Sequence, residues 1–315
     1  MPVFDQYALT REDLTRLECA PRRFEALKDY PRLGRYTLVE QIACQPPDEC
    51  FRAFPHGRAG SAAPEFLRVF PRNLLSLAMA QWLRVYADVR ESEIERIFEL
   101  GILDRRCLIA SEYIYGANIA DIARTGSESK SIVPWPLALA LFCATLSRLV
   151  RLHAHGLCHG HLTTRSIRLT IEGEVWLCRG LPHSLRQLAT SPPTHPVPLS
   201  PIVRARDIVS LGRVILPLAA GSRAQQVREL FTGDDVQGFA VLSDLIIEQR
   251  PELADLAVAA LRPVNDAHRE LTASHADELT QRAMEYVSQG DVRQLMEAVA
   301  RSSPDYHQQH GDLRT

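Results

Sequence analysis

The sequence predicts an α+β protein with a small strand-rich N-terminal lobe and a larger helical C-terminal lobe. Three observations predict it. Short runs of alternating or clustered apolar residues, separated by Pro- and Gly-rich turns, crowd residues 36–112. From about residue 136 onward, apolar residues recur instead at three- and four-residue spacing. With 315 residues and 46% hydrophobic content, the chain has enough apolar surface for a sizeable core.

In chain order, residues 1–32 form an N-terminal extension. Thr10-Arg-Glu-Asp13 is a capping pattern for a short helix that Pro21 should end or kink. Strands are expected at 36–42, 49–54 and 65–70, a helix at 73–89, then strands at 94–100 and 107–112. These make a first lobe over 33–115. The second lobe, 116–302, is expected to hold helices at 136–155, 205–220, 238–248, 251–261, 274–286 and 291–301. A strand pair lies around the Glu172-Gly173 turn. The stretch 191–201 is rich in Pro, Ser and Thr, and the polar tail 303–315 is expected to be disordered.

Composition excludes several function classes. The formal net charge is −2, so no global basic field points to nucleic acid or an anionic membrane surface. The paired arginines Arg22-Arg23 and Arg105-Arg106, and Arg204 with Arg206, read as solvated faces. The longest apolar runs, 137–150 and 209–221, are short and carry Arg148 and Arg213, so no membrane span is expected. Seven scattered cysteines contain no C-x-x-C pair, and no secretion signal opens the chain. They read as reduced thiols in a cytoplasmic protein. Trp82, Tyr86 and Trp135 would mark a partner surface if they prove exposed.

The stretch 152–169 reads LHAHGLCHGHLTTRSIRL. Its frame His159, Gly160, His161, Leu162, Thr163, Thr164, Arg165, Ser166 resembles the protein-kinase catalytic loop H-R-D-L-K-x-x-N. Other pieces follow in the order of that family. Leu33-Gly-Arg-Tyr-Thr-Leu38 is similar to the entry into the first strand, and residues 42–53 lie in register with the glycine-rich loop. Residues 91–101, ESEIERIFELG, resemble H-P-N-I-V-R-I-F-E-L-G, and Glu112-Tyr-Ile-Tyr-Gly116 resembles the hinge. Asp207-Ile-Val-Ser-Leu-Gly212 resembles the start of the large central helix, whose aspartate anchors the catalytic-loop backbone. Residues 251–261, Arg269 and 274–279 resemble the closing helices. Over about residues 33–284 the chain resembles a bacterial Ser/Thr protein kinase domain, which implies a two-lobed protein kinase-like fold.

Against that resemblance each catalytic part is altered. The three glycine positions of the phosphate loop hold Ala43, Gln45 and Asp48. Pro46 and Pro47 remove amide donors, while Asp48 and Glu49 repel phosphate. The third-strand lysine position is Arg68. The helix that should supply its glutamate partner has no acidic residue between 70 and 87, where Gln81 or Trp82 fills the place. The catalytic aspartate position is His161, and the metal-binding asparagine position is Ser166. The second metal-binding aspartate should follow Val175-Trp-Leu177, where Cys178-Arg179-Gly180 stands, and Arg179 brings positive charge. About 25 residues separate Leu181 from Asp207 and no A-P-E follows, though Leu199-Ser-Pro201 resembles a remnant of it. The positions retained, His159, Leu162, Ile167 and Asp207, are those that hold the core of the lobe and its loop backbone.

The resemblance with these losses implies a pseudokinase: no catalytic or nucleotide-binding residues, no metal and no cofactor. Such a chain acts as a protein-binding scaffold or regulator. The expected partner is a protein, an active kinase or an assembly component, docked through the helical lobe or residues 1–32. Two competing readings remain. One is an enzyme of the same fold with a rearranged site, transferring phosphoryl or nucleotidyl groups with Arg68, His161 and Glu172; the other is a small-ligand sensor using the vacated cleft. A zinc site of Cys158, His159, His161 and Cys178 is disfavoured, because adjacent ligands on one loop lack the spacing of zinc sites.

Overall fold

The computed structural model describes residues 32–45, 48–56, 63–75, 77–103, 105–125, 133–160, 162–178, 201–231, 237–265 and 271–302. These fall into two units. One comprises the described residues 32–114, the other 115–178 and 201–302. The expected helical extension and polar tail lie outside the described residues, as do His161, Arg179 and Arg269.

The first unit is a six-stranded antiparallel sheet. Its strands are β1 (Arg32–Leu33), β2 (Tyr36–Gln45), β3 (Asp48–Pro55), β4 (Glu65–Pro71), β5 (Ile97–Leu103) and β6 (Arg106–Glu112), in the order β1-β2-β3-β4-β6-β5. Alternation along each strand sorts the side chains onto two faces. Tyr36, Ala53, Leu67, Val69, Leu108 and Ala110 form a core on one face, with Leu33, Leu38 and Phe51 packed against it. The sheet curls over this core. The β1–β2 turn reaches β5, where Tyr36 donates to Glu99 at 2.7 Å and Arg35 pairs with the same carboxylate.

The helix expected at 73–89 is shorter. A 3-10 turn, Arg72–Leu74, precedes α1 (Leu77–Ala87), which packs against β5. Tyr86 is buried, so it belongs to the core of this unit and not to a partner surface.

The second unit is mainly helical. Described residues hold α2 (Ile119–Thr125), α3 (Trp135–Ala154), α4 (Pro201–Ile215), α5 (Ala224–Glu229), α6 (Gly238–Gln249), α7 (Ala254–Asn265), α8 (Ala273–Glu285) and α9 (Gln289–Ser302), with a small sheet β7 (Ala117–Asn118), β8 (Ile167–Leu169), β9 (Val175–Leu177). At its centre lies α3, apolar on all sides, as a helix surrounded by protein requires. It packs against α4, α7, α8 and β9. Its length and composition match a membrane span, but 83% of that stretch is buried inside the unit. Trp135 is buried at its first turn, so it too marks no partner surface. Arg148, buried in the same helix, donates to the Ala144 carbonyl at 3.0 Å and faces Asp277 of α8 at 3.9 Å.

The helix expected at 205–220 runs from Pro201 to Ile215. Proline at a first helical position fits, since its missing N–H would have no partner there. Pro217 stops the helix, because it removes a donor and its ring clashes with the preceding turn. The chain continues as a 3-10 turn, Leu216–Leu218. Two helices had no counterpart in the sequence reading, α2 and α5. The first carries a legible signal: Asn118 Oδ1 accepts from the Asp121 amide at 2.9 Å, an N-terminal cap.

Candidate functional site

The loop 155–166 follows α3 and leads into β8, and Asp207 from α4 holds its backbone. Oδ2 accepts from the His159 amide at 2.7 Å, and Oδ1 from the Gly160 amide at 2.8 Å. His153, in the last turn of α3, donates its Nε2–H to Oδ2 at 3.0 Å. One carboxylate therefore satisfies two loop amides and ties α3 to α4. Gly160, at φ +75°, takes the left-handed conformation that brings its amide round to the carboxylate.

Burial, the largest influence on Asp207, works to raise its pKa. The His153 hydrogen bond, the two imidazoles and the Gly160 amide outweigh it and leave the carboxyl below its ordinary value. It is an anion at neutral pH, as a carboxylate facing three donors should be.

His159 is 2% exposed. It donates Nε2–H to the Cys178 carbonyl at 3.0 Å, which assigns the proton to that nitrogen because a carbonyl only accepts. Its Nδ1 is buried with no hydrogen-bond partner. Complete burial is the main cause that lowers its pKa, against the opposing charge of Asp207 and the Cys178 carbonyl. The ring is neutral and joins the loop to the end of β9. Leu162 and Ile167 are both buried and complete the core beneath the loop.

Ser166, at the position where the kinase loop has its metal-binding asparagine, is 3% exposed. Its Oγ accepts from the Thr163 amide at 3.1 Å and bonds the Thr163 hydroxyl at 3.1 Å. Its own amide donates to the Thr163 carbonyl at 2.9 Å, and its carbonyl accepts from the Cys178 amide at 2.7 Å. Ser166 thus closes the turn of the loop and links it to β9.

Cys178 follows β9 and precedes Arg179, the altered metal-aspartate position, which lies outside the described residues. Mg²⁺ demands oxygen ligands in near-octahedral order. A hydroxyl turned onto Thr163 at position 166 does not fit it. Among the described residues no group of three or more His, Cys, Asp or Glu is placed to hold a metal ion. Burial first, and the charge of Asp207 second, push the Cys158 thiol up to about 11, so it is protonated at neutral pH and a poor zinc ligand. Glu172 lies exposed in the turn between β8 and β9.

In the first unit, the backbone of Ala43, Gln45 and Asp48 is paired strand. The β2–β3 register runs out to Gln45↔Asp48 and leaves two residues between the strands. Arg68 sits half-buried on β4, between Cys50 of β3 and Ile109 of β6. Strand alternation puts it on the face opposite Leu67 and Val69. Helix α1 has the sequence LAMAQWLRVYA and carries no acid. Of the Arg clusters, Arg106 pairs with Glu49 at 2.9 Å; Arg105, Arg204 and Arg206 are exposed. Arg22-Arg23 lie outside the described residues.

The sequence showed which residue types stand at the kinase-like positions but not the bonds of Ser166. Its signal was the pair Thr163 and Ser166, three residues apart, a spacing at which a hydroxyl can close its own turn.

No protein-family model matches the sequence, and no curated protein matches it. Solved structures do. One structure of the PknI kinase domain of Mycobacterium tuberculosis aligns with a TM-score of 0.53 and 18% identity, covering 82% of this chain and 100% of that one. A second structure of the same domain aligns at 0.50 and 16%, covering 83% and 100%. At such identity the likeness speaks to the fold alone. The chain has an α+β, two-lobed protein kinase-like fold.

Proposed function

We propose that this chain is a catalytically inactive pseudokinase that works by binding another protein, as a scaffold or regulator. The observation that carries the reading is Ser166. The residue at the metal-ligand position spends its hydroxyl on the Thr163 amide, inside a loop whose backbone is still held by Asp207. Phosphoryl transfer on this fold depends on positioning phosphates and metal ions, so a loop kept as scaffold without its ligands serves shape and not chemistry.

The losses agree across the chain. Arg179 stands where a carboxylate would be needed, α1 offers no acid to pair with Arg68, and the β2–β3 hairpin is strand-paired through the positions of the glycines. The partner class we propose is an active kinase or an assembly component, in the cytoplasm. The formal charge of −2 gives no general attraction to nucleic acid.

Thermal-shift titration with ATP and Mg²⁺ tests the reading. A ligand that binds the native state must raise its melting temperature as its concentration passes the dissociation constant. We expect a flat titration. A saturable rise would overturn the proposal.

A further inference from the structure

We draw no further inference here: the strongest candidate, the surface patch of exposed Leu100 and Ile102 on β5, is an apolar face for which nothing in the structure shows what covers it.

Discussion

The loop held by Asp207 and the β2–β3 hairpin were both expected to hold altered catalytic parts, and their backbones are held in different ways. Around the loop, three polar residues at altered or retained positions have bonds that keep the backbone in place: Asp207 to two amides, His159 to the Cys178 carbonyl, Ser166 to Thr163. In the hairpin, Ala43, Gln45 and Asp48 lie in paired strand, where the bonds belong to the backbone and any residue compatible with a strand serves. The difference teaches where a particular side chain is needed to hold the backbone: where one side chain satisfies several backbone donors, and not where the backbone satisfies itself.

Substitutions in the two regions should therefore differ sharply. Asp207→Ala leaves two loop amides and the His153 N–H without their acceptor, in a site where the carboxylate is 2% exposed. The two orphaned donors on buried residues, His159 and His153, cost about 1–3 kcal/mol each, so a loss of about 2 kcal/mol or more in urea unfolding is expected. A loss under about 1 kcal/mol would break the comparison, since the loop would then not depend on its anchor.

Gly212 comes next. A Cβ there would lie 2.8 Å from the Phe239 ring and 3.0 Å from Phe231, whose ring centroids are 4.7 Å apart, beside Phe142 at 5.7 Å from Phe239. Gly212→Ala should destabilise by about 1–3 kcal/mol through overpacking, read in the same unfolding experiment.

Acid tests the anchor without mutation. The folded-state pKa of His159 lies below its unfolded value of about 6.5, so the unfolded chain binds the proton more readily. That contribution to stability is complete above about pH 6.5 and falls away as the pH drops below it. Asp207, also depressed, adds stability above its unfolded value of about 3.9, which is lost as the pH falls through the folded pKa. Melting temperatures followed from about pH 7 down to about pH 5 should decline, and more steeply in wild type than in His159→Gln. Equal slopes would remove His159 from the account.

Ser166→Ala should cost about 1 kcal/mol, the value of one hydrogen bond with its buried partner amide left behind, and should leave nucleotide affinity unmoved. At the small end, Gln45→Gly with Asp48→Gly should restore no response to ATP and Mg²⁺ in thermal-shift titration. Recovery of binding from those two changes would mean that the hairpin, not the metal ligands, had been limiting.

The strands of the first unit and the long helices of the second were legible, because alternation and three-to-four spacing report which face is buried. β1 and β7 were not, being two residues each and existing only through their partners. Neither was the short helix α5, for which no side-chain cap forms. Within the site, the residue types at the kinase-like positions were visible one by one. Their contacts were not: the Ser166–Thr163 bonds and the His159–Cys178 link join groups whose meeting depends on the fold. Tyr86 and Trp135 show the same limit from the other side, since an aromatic on a helix reads alike whether it faces solvent or core.

The central claim is that the loop keeps its shape and transfers nothing. Incubating the full chain with γ-labelled ATP, Mg²⁺ or Mn²⁺ and protein substrates, alongside His161→Ala, addresses it most directly. The account predicts no labelled product from either protein above the level of a blank. Transfer by wild type that disappears in His161→Ala would contradict it.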